Sequence, residues 1–217
     1  ERHDKLHALV DHIMRDPRVS TQEKELLSLM KAFAEYLDLA DVARRAFREW
    51  RDIGVKQDHA GFITKKLQAA AARVPMRLGR GPETMLGGLL SFHEGRMHLA
   101  RGDRDSAEKA GERTIWLLSQ ALARPNAAGG AISRAIALTH LEAGRFEQAA
   151  RSFKAIRMDD LPEEGRYVVR RDYGRALFCA GTGIDAIRVA LADLRVETKE
   201  KILSTLPKFQ PACNRLR

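Results

Sequence analysis

Cysteine, proline and aromatic residues are scarce in this chain: two, seven and thirteen among 217 positions. Cys179 and Cys213 are too few for a disulfide framework and lack the clustered spacing of a zinc site. Cys179 lies in the apolar run Ala176-Leu177-Phe178-Cys179-Ala180, where a small buried thiol is expected, and with it a reduced, cytoplasmic protein. No stretch approaches the ~18 consecutive apolar residues of a membrane-spanning helix. No basic-then-apolar signal segment opens the chain, which begins at Glu1 rather than Met.

Catalytic signatures are missing as well. There is no G-x-S-x-G elbow, Gly79-Arg80-Gly81-Pro82 lacks the Lys-Ser/Thr of a phosphate loop, and His93-Glu94 has no second histidine to complete a zincin motif. His3, His7 and Asp11 follow one another at four-residue spacing and can share a helix face, but with no complementary cluster they read as surface residues. Asp159/Asp160 and Glu163/Glu164 flank a helix start, where acidic side chains favour the helix dipole. The expectation is a chain without catalysis, cofactor or metal.

What is present is charge and helical periodicity. Hydrophobic residues make up 44% and charged residues 31%, a globular balance. The formal charge is +9, and 27 of the 38 basic residues are arginine, whose planar forks suit bidentate contacts with carboxylate or phosphate. The excess is uneven: residues 41–80 hold ten basic against four acidic residues, and 161–217 hold eleven against seven. Such an excess bears on partners and association rates rather than on fold.

Apolar residues recur at helical spacing from Leu6 to Ile13 before Pro17. Ser20 with Glu23 forms a capping box ahead of Leu26, Leu27, Met30, Phe33 and Leu37. Further helices are expected over about 39–53 and 59–74, then a Pro/Gly break at 75–82. Pro82 opens the next helix, to Arg101, and others follow to Arg124, Ala143, Met158 and Ala180, with the last over 184–195 and 197–205. Pro207 and Pro211 are expected to end the order, leaving 207–217 as a frayed tail. No segment has the period-two alternation of a strand. The fold class is therefore all-α, with an N-terminal helical segment (1–74) joined through the break to an array of helical hairpins (82–206).

Within the array a pattern repeats. Gly102, Gly144 and Gly181 each sit in a turn, with Ala107, Ala149 and Ala186 five residues later and the small Gly95, Ala137 and Gly174 seven residues earlier. Helix pairs that cannot bury their apolar face alone do so by stacking. The stretch from Ala135 to Phe153, with Ala137, Gly144, Phe146, Ala149 and Phe153 in register, resembles the tetratricopeptide repeat (TPR). The likeness covers residues 84–195 best, with a weak echo at Ala43 and Phe47. It implies antiparallel hairpins stacked as a superhelix and a non-catalytic scaffold or adaptor that binds a protein or peptide on its concave face.

Carried over by spacing, the resemblance implies a partner-binding face of Phe92, Arg96 and Leu99, then Arg134, Leu138 and Leu141, then Arg171, Arg175 and Phe178. Arginines at one end and apolar side chains at the other suit an acidic or amphipathic segment. An alternative is a regulatory contact with nucleic acid or another anionic surface. It would use Arg44, Arg45, Arg48 and Arg51, continued by Lys56, Lys65, Lys66, Arg73, Arg77 and Arg80. Phe47 and Trp50 beside the first four read as core, and no helix-turn-helix, zinc-finger or RNA-binding signature accompanies them.

Overall fold

The computed structural model describes residues 2–54, 59–74, 82–123 and 129–217, and every regular element among them is helical. Two compact units form: Glu1–Arg48 with Lys56–Ala121, and Glu49–Val55 with Leu122–Arg217. The 75–82 break expected to divide the chain runs within the first unit; residues 75–81 themselves lie outside the described residues. No described helix is long and apolar enough to cross a membrane.

The first unit is built from α1 (Arg2–Met14), most of α2 (Thr21–Ile53), α3 (Ala60–Arg73), α4 (Pro82–Arg101) and α5 (Arg104–Leu122). The capping box forms as read: the Ser20 amide donates to Glu23 Oε2 at 2.8 Å, and the Glu23 amide to Ser20 Oγ at 3.3 Å. The two helices expected between Ser20 and Ile53 are one. No glycine or proline interrupts 21–53, so nothing breaks the ladder over about 50 Å of helix. The Lys31 ammonium bonds Asp11 of α1 at 2.7 Å, Arg73 of α3 pairs with Glu35, and the Tyr36 ring lies 5.8 Å from the His93 ring of α4.

Helices α3 and α4 run antiparallel: Gln68 Nε2 donates to Glu94 Oε1 at 2.7 Å, while Gly61 lies against Arg101. Helices α4 and α5 approach closely because glycine leaves room. A methyl on Gly95 would stand 3.5 Å from the Ala107 carbonyl and the Ala110 methyl, and one on Gly88 would collide with Leu118 at 2.5 Å. Phe47, Leu67, Leu86, Leu90, Met97 and Leu118 fill this core.

The second unit adds α6 (Gly129–Glu142), α7 (Phe146–Lys154), α8 (Glu163–Cys179), α9 (Ile184–Ala190), α10 (Val196–Thr205) and α11 (Gln210–Leu216), with short 3-10 turns at Met158–Asp160 and Pro207–Phe209. Phe153, Ile132, Ile187, Leu191, Ile202 and Leu206 are its most enclosed side chains.

The three glycine turns share one geometry. Gly102, Gly144 and Gly181 have φ of 81°, 72° and 88°. In each, the next residue's amide reaches back to a carbonyl of the preceding helix: Asp103 to His98, Arg145 to His140, Thr182 to Leu177. This is the Schellman closure, which needs a left-handed residue and so favours glycine.

The repeat then departs from the expected register in its third copy. Ala107 and Ala149 are buried, whereas Ala186 is exposed and Ile187 is buried in its place. The cause is one extra turn residue. The first helical bond after the turn runs from Ala107 to Asp103 and from Ala149 to Arg145, but from Ile187 to Gly183. A one-residue slip rotates the inward face by about 100°.

The expected frayed tail is folded. Pro207 and Pro211 stand in the first turns of a 3-10 helix and of α11, where a missing amide costs nothing. Phe209, Ala212, Cys213 and Leu216 are buried. The reduced thiol expected at Cys179 is also overturned: Cys179 is disulfide-bonded to Cys213, with the Cα atoms 5.3 Å apart. Two cysteines fall short of a disulfide framework, and the pair forms only because the C-terminal segment folds back to Cys179. Arg215 adds a second tie, donating to the carbonyls of Arg51 at 2.6 Å and Asp52 at 2.5 Å. Arg217 adds a third, to the Cys179 carbonyl at 3.0 Å.

Candidate functional site

The nine residues expected to form one partner-binding face divide into four groups. Phe92, Leu138 and Leu141 are buried core residues, because helices packed on both sides enclose the apolar positions that the spacing assigned to a groove. Leu99 and Phe178 are partly covered. Arg96 is buried in the first unit, its guanidinium 4.1 Å from the Phe92 ring and 5.0 Å from the Phe47 ring. That stacking satisfies a cation against aromatic faces and takes Arg96 off any surface. The expected alternation of arginine and apolar contact along one face is therefore not formed.

Arg134, Arg171 and Arg175 behave differently. They converge, in the second unit, on the carboxylate of Asp172, whose side chain is 3% exposed. Arg134 donates to Oδ2 from Nε at 3.2 Å and from Nη2 at 2.7 Å. Arg171 donates to Oδ1 from Nε at 3.2 Å and from Nη2 at 3.1 Å. Arg175 Nη1 stands 3.6 Å from Oδ1. Three guanidinium groups thus face one buried carboxylate, leaving two positive charges uncompensated within the cluster. The arginine side chains keep 34%, 31% and 20% of their surface exposed, so the surplus is accessible.

Arg175 carries the electrostatic strain. Burial pulls its pKa down to about 10, helped by the neighbouring cations Arg171 and Arg51 and opposed by Asp172 and Asp52. It is still cationic at neutral pH. Its guanidinium lies 4.5 Å from the Phe209 ring and Arg51 lies 5.2 Å from the same ring, so the aromatic face offsets part of the desolvation.

Asp172 was not foreseen, although the sequence holds a signal for it. Arg134 stands three residues before Ala137, Arg171 three before Gly174, and Asp172 two before Gly174. In helices that pack in register these positions are neighbours, so a cross-helix ion pair was there to be read.

The alternative basic face is dispersed. Arg44 lies 3.2 Å and Arg45 3.7 Å from the same Asp41 carboxylate. Arg48 is exposed, and Arg51 is paired with Asp52 at 2.7 Å. Lys65 and Lys66 are exposed, with the Lys66 ammonium 4.7 Å from the Phe62 ring. Lys56, Arg77 and Arg80 lie outside the described residues. Phe47 is core, as expected, and Trp50 is partly covered.

The side chains of His3 and His7 also lie outside the described part. Among the described residues no group of three or more His, Cys, Asp or Glu side chains is placed to hold a metal ion. Comparison with protein families, curated proteins and solved structures finds no match to this chain.

Proposed function

We propose that the protein is a non-catalytic, TPR-like helical scaffold that binds an acidic segment of another protein, with Arg134, Arg171 and Arg175 as its anchor. The observation that carries this reading is the surplus of guanidinium over carboxylate at Asp172. A buried carboxylate needs one good bidentate partner to be satisfied. Here two arginines hydrogen-bond it, with Arg175 a third cation 3.6 Å away, and each of the three side chains keeps part of its surface exposed. Such a cluster is preorganised for a second carboxylate, which would bind without the side-chain ordering cost that loose surface arginines incur. Glycine-turn hairpins and small residues at helix crossings support the scaffold part of the reading.

The test uses a fluorescein-labelled peptide alternating glutamate and leucine and its matched glutamine version, followed by anisotropy. The glutamate peptide is expected to bind and the glutamine peptide to bind roughly tenfold or more weakly. An Arg134→Gln/Arg171→Gln variant, shown folded by circular dichroism, should lose the difference. Equal binding of the two peptides, or an unchanged variant, would sink the proposal. Nucleic acid is the competing ligand. It would show a steep loss of affinity with salt that follows Arg44, Arg45 and Arg48 rather than the Asp172 cluster.

A further inference from the structure

One side of α8 is built as a row. Arg171, Arg175 and Cys179 follow one another at four-residue spacing, so they stack along one face of the helix. The C-terminal segment 207–217 carries a matching row, Phe209, Cys213 and Arg217, at the same spacing. The two rows meet in order. The Phe209 ring lies 4.5 Å from the Arg175 guanidinium, Cys213 is bonded to Cys179, and Arg217 Nη2 donates to the Cys179 carbonyl at 3.0 Å. The disulfide thus stands one helical turn from the aromatic contact, about 6 Å along the axis. What fixes Cys213 also fixes Phe209.

Phe209 covers cations that acid binding would use. The buried ring also lies 5.2 Å from Arg51. The Arg175 side chain beside it keeps 20% of its surface, against 34% and 31% for Arg134 and Arg171. Segment 207–217 carries Lys208, Arg215 and Arg217 and no acidic side chain, so like charges face one another across this contact. Besides the disulfide, the segment is seated by burial of Ala212 and Leu216 and by arginine bonds to main-chain carbonyls. Those ties are reversible, and the covalent one holds them closed.

We propose that residues 207–217 form a strap over Arg175 and Arg51, with the Cys179–Cys213 disulfide as its redox-sensitive catch. The inference rests on the reading of Arg134, Arg171 and Arg175 as an acid-binding anchor and supplies the regulation of that anchor. A dithiol reductant opens the catch in two exchanges. One reductant thiolate attacks a cysteine sulfur, the protein S–S bond breaks, and the other cysteine leaves as a thiolate that takes up a proton. The second reductant thiolate attacks the mixed disulfide and releases the remaining cysteine, which is protonated in turn. Two electrons and two protons pass to the protein, and the reductant ends as its own disulfide. Cys179 and Cys213 are 1% and 0% exposed, so exchange waits for local opening of the strap. The catch therefore answers sustained reduction rather than a brief pulse. Once it is open the strap lifts more often, and Arg175 and Arg51 become available to a carboxylate.

The first readout needs no ligand. The full chain is labelled with phenylglyoxal, which modifies accessible guanidinium groups, and each arginine is followed by mass spectrometry. Oxidised protein is compared with protein reduced by dithiothreitol and desalted under argon. Arg175 should react roughly tenfold faster after reduction, while the buried Arg96 of the first unit stays protected, which separates lifting from unfolding. Phe209→Ala should uncover Arg175 with the disulfide intact, so the test does not depend on how well a cysteine variant folds. An Arg175 rate that reduction leaves unchanged, or one that rises only together with Arg96, overturns the strap. The peptide alternating glutamate and leucine should bind reduced protein roughly threefold or more tightly than oxidised protein, and equal affinity for the two forms overturns the regulation. A peptide that binds neither form, while reduction uncovers Arg175, upholds the strap and counts against the acid-binding reading.

Discussion

At Asp172 the charges are unequal, and the single anion matters more than any one cation. Replacing Arg134 leaves the carboxylate with Arg171 and Arg175. Replacing Asp172 leaves three guanidinium groups facing one another with one of them, Arg175, already pushed down by burial. Asp172→Asn is therefore expected to cost about 2–4 kcal/mol, and Arg134→Gln distinctly less, in urea unfolding followed by circular dichroism. A larger loss for Arg134→Gln would mean that the carboxylate is not the organising group. His93 supplies a second effect at this scale. It is fully enclosed between Tyr36 and Phe92, and burial, then Arg96 and Arg44, hold its pKa well below the ordinary 6.5. The unfolded chain then takes up a proton more readily than the folded one. Stability is complete above about pH 6.5 and is lost as pH falls below it; His140 is shifted the same way by burial and Arg145. Thermal melts at pH 7.5 and 5.5 should show a lower Tm at the acid pH, and His93→Phe should shrink the difference. A wild-type Tm that is level across this range contradicts the assignment.

At the scale of elements, the turns were legible because their physics is local. A glycine that must take positive φ marks its place in the sequence, and Gly102, Gly144 and Gly181 all do so. What surrounds each turn was not legible. A methyl on Gly102 would meet nothing within 4 Å, whereas one on Gly144 would meet the Leu216 carbonyl oxygen of α11 at 2.5 Å. Gly102→Ala is expected to cost only its backbone strain, about 1 kcal/mol. Gly144→Ala should cost about 3 kcal/mol, since it adds a clash with backbone. Urea unfolding of the two variants checks the ranking, and equal costs would mean that α11 does not rest on this turn. The orientation of α2 escaped the sequence for a related reason. Periodicity reports that a helix has an apolar stripe, not that the stripe faces inward. Buried alanines at 32, 43 and 46 on the far side and at 34 and 40 beside the stripe let neighbouring helices come close, so Leu26, Met30, Phe33 and Leu37 are left outside. The slipped register of α9 was likewise hidden, because the extra residue in Gly181-Thr182-Gly183 leaves the glycine-to-alanine spacing unchanged.

For the molecule as a whole, helical class followed from periodicity and from the lack of alternating segments, both summed over many residues. The long-range ties followed from neither. Cys179 and Cys213, 34 residues apart, and Arg215 with Arg51 and Asp52, more than 160 apart, depend on a C-terminal segment in which the prolines were expected to end the order. These ties make the last helix part of the second unit's core, and they set its sensitivity to reductant. Closing a loop of that length stabilises by about 4 kcal/mol. Treatment with dithiothreitol, or Cys213→Ser, is therefore expected to lower the Tm and to speed amide exchange in α11 and at the end of α8. The arginine ties should keep α11 helical below that lowered Tm. Protein denatured without reductant should show no titratable thiol with Ellman's reagent. Two titratable thiols in freshly isolated protein would restore the reduced state expected from the sequence. A disulfide found intact would instead argue for an oxidising setting, in which the acidic partner of the Asp172 cluster should also be sought.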